Sequence, residues 1–445
     1  MTRGRAELLR KGIHLGTGGC ALLLRWLPWS VAAALALTAL LFNLFVLQRL
    51  TRGALLREDE RRAGWSRGIV FYPSAVLVLI LAFHSRLDLA AAAWGLLAFG
   101  DGMATVAGVL VGGPSLPWNR SKTWSGSAAF VLFGTTASAF LQEWVRPTSS
   151  WTISLLGCLA AALAAAAIES LPAGVDDNIS VPLIGGGALY AASLVDPDLL
   201  AGAGETVAGN APWGLAVNLI LASLAFAGRA VSLSGAVLGT ILGTALFAMA
   251  GWAGFTVFVA FFVLGSLATR VGWQRKVLRG VEQEGGGRRG ARHAFANMLG
   301  GLAFAFLSLA SPDAEGFILA FVAAFATAAA DTVSSEIGQA YGRRTYLATT
   351  LRPVPPGTDG AVSLEGTAAG ILASAVLGVV AWGLGLISAP GVLLVVAGAF
   401  VGTTIESCIG ARLGGASGVA NEFVNFVNTV VGGASALALQ HLLVR

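Results

Sequence analysis

Charge is what this sequence has least of. Asp, Glu, Lys and Arg make up 11% of its 445 residues while 56% are hydrophobic, and a water-soluble fold of this length cannot cover itself with so few charges. Cysteine is scarce too. Cys20, Cys158 and Cys408 stand apart in or beside apolar runs, none with a partner at metal-ligand or redox spacing, and no chemistry is assigned to them. His14, His84, His293 and His441 form no ligand pair at helical spacing. There is no Gly-rich phosphate loop ending in Gly-Lys-Ser or Gly-Lys-Thr, and no protein-kinase signature, so a nucleotide site here must be of another design.

Where charge is missing, apolar runs stand in its place. Runs long enough for a hydrocarbon core of about 30 Å, which takes roughly 20 helical residues, recur from one end to the other. The runs are rich in Ala, Leu and Gly and do not alternate polar with apolar residues, which predicts helices and not strands of a membrane barrel. The 59 glycines suit close helix packing. The expected fold class is all-α, a polytopic transmembrane helical bundle of about 15 spans in two related halves. The first half offers spans at roughly 13–28, 30–48, 68–84, 89–111, 125–142, 151–169 and 180–195. The second offers roughly 213–228, 233–250, 253–269, 294–310, 316–340, 361–386, 390–409 and 421–442. Arg3, Arg5, Arg10 and Lys11 precede the first run, which is read as a retained span and not as a cleaved leader.

Basic residues gather at the N-terminus, in 49–67, around Arg120 and Lys122, from Arg270 to Arg292, from Arg343 to Arg352, and at Arg412. With a cytosolic N-terminus and one crossing per span, all of these fall on the cytosolic side, as the positive-inside tendency requires. The opposite loops hold the acids Asp196, Asp198 and Glu205. The net charge of +5 therefore reflects orientation in a membrane, and no nucleic-acid partner is expected.

One pattern occurs twice. Asp101, Thr105, Gly108 and Gly112 are answered by Asp331, Ser335, Gly338 and Gly342, both stepping by four, three and four residues. On a helix this sets an acid, a hydroxyl and two glycines along one face, where a backbone or a ligand can come close. A loop and a small-residue entry follow each series: Gly126-Ser127-Ala128-Ala129, then Gly366-Thr367-Ala368-Ala369. Ile-Glu-Ser then recurs around Glu169 and Glu406. Asp176-Asp177-Asn178 follows the first, and Asn421, Asn425 and Asn428 the second.

Acids in a span are costly and mark function. Phosphoryl transfer from a nucleotide needs carboxylates to hold Mg²⁺, cations to neutralise phosphate oxygens, and an acceptor oxygen in line. In the first half Asp101, Glu169, Asp176 and Asp177 are available for metal and base, with Lys11, Lys122 and Arg120 for phosphates. In the second the acids are Asp331, Glu336, Asp359 and Glu406, and the cations Lys276, Arg292, Arg343, Arg344 and Arg352. His14 follows Lys11 by about one helical turn, either as a solvated interfacial residue or as part of the site. The three asparagines serve either inter-helix hydrogen bonds or a polar ligand face.

These residues resemble two known families. Residues 1–205 resemble the phytol, dolichol and farnesol kinases, a family of polyprenol kinases that typically use CTP. The matching stretches are Arg10-Lys11-Gly12-Ile13-His14, Gly100-Asp101-Gly102 on to Gly108, Lys122-Thr123-Trp124-Ser125-Gly126-Ser127, and Glu169 with Asp176-Asp177-Asn178. Ser125 stands where the family often has Glu. Residues 206–445 resemble the family containing phytyl-phosphate kinase and the eukaryotic transmembrane protein 19. They do so through Arg292 to Asn297, Ala330-Asp331-Thr332-Val333-Ser334-Ser335-Glu336-Ile337-Gly338, and Pro356 to Thr367.

Together the resemblances imply a fusion of consecutive steps: an isoprenoid alcohol is phosphorylated to its monophosphate, and that again to the diphosphate. They imply CTP as donor, with ATP or another nucleoside triphosphate as alternatives, and Mg²⁺ as cofactor. Catalysis is expected at Asp101, Asp331, Lys122 and His14. The nucleotide is expected at Lys11, Lys122, Asn178, Arg292, Asn297, Asn421 and Asn425, and the metal at Asp101, Glu169, Asp176, Asp177, Asp331, Glu336 and Glu406. Two other classes fit the same pattern. A secondary transporter also has repeated halves, broken helices and intramembrane acids, and a cytidylyltransferase would join CMP to a lipid phosphate.

Overall fold

A computed structural model describes residues 3–50, 67–147, 151–171, 176–283, 288–413 and 418–443. Helices follow the apolar runs. α1 (Arg3–Gly18) passes into a 3₁₀ segment to Arg25, α2 is Trp29–Phe42 with a π turn at Asn43–Leu47, and α3 is Arg67–Ala82. α4 (Leu87–Gly95) continues through a π turn, Leu96–Gly100, into α5 (Asp101–Leu110). A hairpin, β1 (Ser115–Leu116) with β2 (Asn119–Thr123), leads to α6 (Trp124–Val145), α7 (Trp151–Ser170) and α8 (Asp177–Ser193).

Then come α9 (Pro197–Ala227), α10 (Leu233–Arg270), α11 (Trp273–Arg279), α12 (Ala291–Ala310) and α13 (Ala314–Tyr341). A second hairpin, β3 (Thr345–Leu347) with β4 (Ala361–Ser363), leads to α14 (Leu364–Gly383), α15 (Ala389–Leu413) and α16 (Gly418–Leu443).

The chain is a multi-pass membrane helical protein. Eleven of the described helices are long and apolar enough to cross a bilayer, against the 15 expected runs, and the difference has local causes. The runs expected at 233–250 and 253–269 are two helices, counted together as α10 and joined across Gly251, whose left-handed φ of 60° glycine adopts without strain. α3 is a shorter apolar helix, the first run is split between α1 and its 3₁₀ continuation, and the run expected at 180–195 falls in α8, a helix of 17 residues that is not among the eleven.

Contacts divide the chain into two compact units, Met1–Ser193 and Leu194–Arg445. The boundary expected at 205/206 falls instead inside α9, which is one continuous helix begun by an Asp196 cap with Pro197 at its first position.

The repeat read in the sequence is a repeat of structure. In both units an acid-bearing helix is followed by an antiparallel hairpin and then by a helix capped by a hydroxyl. Thr123 accepts from Gly126 N, and Ser363 from Gly366 N. The first glycine of each series, Gly108 and Gly338, packs against these caps. A Cβ on Gly108 would lie 3.3 Å from Thr123 Oγ1, and one on Gly338 3.0 Å from Ser363 Oγ. The capped helix sits so close to the acid-bearing one that a Cβ on Gly126 would meet Ala104 O at 3.0 Å, and one on Gly366 would meet Ser334 O at 2.5 Å. Ala104 and Ser334 each stand three residues after their acid, so the two pairs are packed in the same register.

Candidate active site

In the first unit the site is built where α5, β2, α7 and α8 meet. Asp101 opens α5 directly after the π turn, a distortion frequent at functional sites. It is buried and paired with Lys11 of α1. The hairpin is tied to the end of α7 by Trp118 Nε1 donating to Ser170 Oγ at 3.2 Å and Asn119 Nδ2 donating to Ser170 O at 3.1 Å. This fixes Lys122 of β2 between two acids: it pairs with buried Glu169 and, at 3.0 Å, with Asp177 Oδ2.

Asp101, Glu169 and Asp177 bring carboxylate oxygens within 4.8 Å of one another. Burial presses on the Lys122 charge, but Asp177, Glu169 and Asp101 outweigh it and hold its pKa above the ordinary lysine range. Lys122 therefore stays cationic throughout the physiological range.

Such a set suits a divalent cation. Three hard oxygen donors converge, as Mg²⁺ requires, and two ammonium groups beside them match the oxygens of a triphosphate. Asp176 does not join the trio. It caps α8 instead, accepting from Asn178 N at 3.0 Å and Asn178 Nδ2 at 2.7 Å, as its position just ahead of a helix favours. Asn178 is thereby fixed and buried, with Oδ1 lacking a hydrogen-bond partner in the structure. Arg120 is exposed on the hairpin. His14 is buried and packs its ring on Tyr72, with centroids 4.4 Å apart. It faces an apolar groove beside the cluster.

In the second unit a pocket of about 490 Å³ collects Asp331, Asp359, Glu406, Asn421, Asn425, Asn297 and His293. Asp331 and Glu406 correspond to Asp101 and Glu169, yet among the described residues no lysine lines their pocket. The hairpin position of Lys122 is Val362, one residue before the capping Ser363 just as Lys122 precedes Thr123. Among the described residues no third acid joins Asp331 and Glu406 as closely as the first trio is joined.

Glu336, expected among the metal ligands, turns away. It is buried in an ion pair with Lys276 of α11, whose Nζ also donates to Thr269 O at 2.6 Å, and neither residue lines the pocket. At about 100° per residue, five residues set Glu336 well off the Asp331 face. Arg292 is exposed and does not line the pocket, and Arg343, Arg344 and Arg352 do not line it either.

The cation that does is Arg289, which the sequence reading passed over. Its backbone bridges to the start of α10, with N donating to Ala230 O at 3.0 Å and O accepting from Ser232 N at 3.1 Å. Its guanidinium lies 5.5 Å and 5.9 Å from the ring centroids of Phe261 and Phe262. Gly265 makes room for it, since a Cβ there would stand 2.3 Å from Nη2. Burial pushes its pKa down, with Glu336 working weakly the other way. No carboxylate within ion-pair distance answers it among the described residues. A half-buried guanidinium with no acid beside it can receive an anion.

Comparison with known proteins adds the following. Residues 216–433 match the family described as integral membrane protein DUF92. An uncharacterized membrane protein of Synechocystis is 40% identical over 203 residues, 45% of this chain and 79% of the relative. Protein VTE6, chloroplastic, of Arabidopsis thaliana is 40% identical over 222 residues, 48% of this chain and 67% of the relative. A probable chloroplastic phytol kinase of Triticum aestivum is 33% identical over 131 residues, 28% of this chain and 44% of the relative. No solved structure matches the chain.

Proposed function

The chain belongs to the DUF92 family of integral membrane proteins, and on that premise we propose that it phosphorylates an isoprenoid alcohol in its first unit and the resulting monophosphate in its second. The observation that carries the proposal is the convergence of Asp101, Glu169 and Asp177 with Lys11 and Lys122, on a scaffold repeated around Asp331 and Glu406. The donor is a nucleoside triphosphate, CTP by the resemblance of the first half to polyprenol kinases. Similarity to a protein named as a probable phytol kinase supports the substrate class.

Asp101, Glu169 and Asp177 would hold Mg²⁺, which when bound neutralises charge on the transferring phosphate. Lys122 and Lys11 meet the phosphate oxygens. In the first step the alcohol oxygen forms a bond to the γ-phosphorus, the bond from that phosphorus to the bridging oxygen breaks, and the nucleoside diphosphate leaves with its electron pair. Asp101 accepts the hydroxyl proton.

The second step attacks with an oxygen of the monophosphate, whose second pKa near 6 leaves it mostly dianionic at pH 7. That acceptor needs a cation to hold it more than a base to deprotonate it. Arg289 supplies the cation, and Val362 in place of Lys122 leaves Asp331 and Glu406 clear of a lysine. The basic loops near each site support a cytosolic location for both through the positive-inside tendency.

The test is purified protein in lipid nanodiscs with Mg²⁺, CTP or ATP, and phytol, farnesol or geranylgeraniol, with products weighed by mass spectrometry. Prenyl monophosphate and diphosphate are expected. A product heavier by CMP would indicate nucleotidyl transfer instead, and the absence of any new prenyl product would end the proposal.

A further inference from the structure

The acid and lysine cluster accounts for the head of an alcohol and leaves its chain without a seat. Beside the cluster runs a groove of about 500 Å³ between α1 with its 3₁₀ continuation, α2 and α3. At one end Asn43 Nδ2 donates to Ile69 O at 2.9 Å, and at the other Trp29 meets His84 with ring centroids 5.6 Å apart, so α2 and α3 lie antiparallel along it. From Ala32 to Leu47 the lining of α2 extends about 22 Å at the helical rise, most of a hydrocarbon core.

Polar groups are confined to the upper part of the groove. There His14 stacks on Tyr72, whose hydroxyl donates to His14 O at 3.1 Å and accepts from Trp94 Nε1 at 2.9 Å. His14 is within electrostatic reach of Asp101, and Lys11, one turn before it, is paired with that acid. Asn43 lines the groove where it meets Ile69, and Leu23, Leu24, Leu27, Ala32, Leu35, Ala36, Val76 and Ile80 make the rest of the wall past Cys20 apolar. A prenyl chain in a bilayer is already out of water and gains little transfer free energy on entering such a groove. The groove can therefore act on it only through shape and position, which is how remote binding directs a reacting end.

We propose that this groove seats the prenyl chain of the alcohol with its hydroxyl end at His14, and that buried Ala32 and Ala36 in its wall leave the room that admits long chains. This rests on the first-step activity proposed above. The test compares wild type with Ala36→Phe and the milder Ala36→Val in nanodiscs, measuring kcat/KM for geraniol and for geranylgeraniol. For Ala36→Phe the ratio of long-chain to short-chain kcat/KM is expected to fall by about tenfold or more, the scale on which apolar pockets discriminate. For Ala36→Val it is expected to fall severalfold, a smaller change that survives should the larger side chain spoil folding.

If wild type phosphorylates geranylgeraniol and the ratio is unmoved in both variants, the groove holds annular lipid and this proposal is overturned while the kinase activity stands. If wild type phosphorylates neither prenol, the activity itself fails and takes the groove's occupant with it.

Discussion

On the hairpin of the first unit Lys122 reaches Glu169 and Asp177; on the hairpin of the second, the same position is Val362, and positive charge enters the pocket from Arg289 instead. The backbone around both positions is alike, down to the hydroxyl cap one residue later and the glycine that packs on it. A duplicated scaffold has thus kept the placement of its acids and exchanged the cation that faces them. On the proposed activities, the exchange follows the chemistry of the acceptor. An alcohol must lose a proton beside carboxylates, whereas a phosphate monoester arrives already anionic and must be met by a fixed positive charge.

The largest effect expected from breaking this comparison is at the two matched acids. Asp101→Asn should lower phosphorylation of supplied alcohol by about 10²- to 10⁴-fold, the range lost with a general base, and leave phosphorylation of supplied monophosphate unchanged. Asp331→Asn should do the reverse. Initial rates with each substrate separately give both results, and equal losses of both steps in either variant would break the division of labour.

Glu336→Gln sharpens the second unit by separating structure from chemistry. Removing one member of the buried pair with Lys276 leaves a buried ammonium uncompensated, at a cost of about 3–5 kcal/mol. Thermal unfolding in detergent should show that loss while KM for the monophosphate holds. A raised KM at unchanged stability would return Glu336 to the site.

Arg289→Gln should weaken the second step by about 10- to 100-fold, mostly in KM for the monophosphate, as loss of a charge-assisted hydrogen bond implies, and leave the first step alone. Smallest are the caps. Thr123→Ala and Ser363→Ala should each cost about 1 kcal/mol of stability, by similar amounts because the two caps have the same geometry. A cost confined to one of them would show that the hairpins differ more than their backbones do.

What was legible in the sequence was periodic. Apolar runs foretold the helices, and the four-three spacing of Asp101, Thr105 and Gly108 and of Asp331, Ser335 and Gly338 foretold two matching faces, because a helix keeps such residues in line without help from the rest of the fold; Gly112 and Gly342, expected on the same faces, fall past the ends of their helices. Side-chain partners were a different matter. Lys11 and Asp101 are 90 residues apart, and Lys122 and Asp177 are 55 apart; nothing local records that packing brings them together. Glu336 carried a readable warning in its five-residue offset from Asp331, and Asp176 in its place at a helix start. Arg289 carried none, since it stands in a run of arginines and only Gly265, on another helix, shows which of them turns inward.

The central claim is that two separate sites act in sequence, and mixing tests it most directly. Asp101→Asn and Asp331→Asn proteins are reconstituted alone and together with phytol, Mg²⁺ and nucleotide, and the lipid products are weighed. The account predicts no phosphorylated prenol from the first variant, monophosphate alone from the second, and diphosphate from the mixture as the monophosphate passes between molecules. Diphosphate from the Asp331→Asn protein by itself, or none from the mixture, would contradict it.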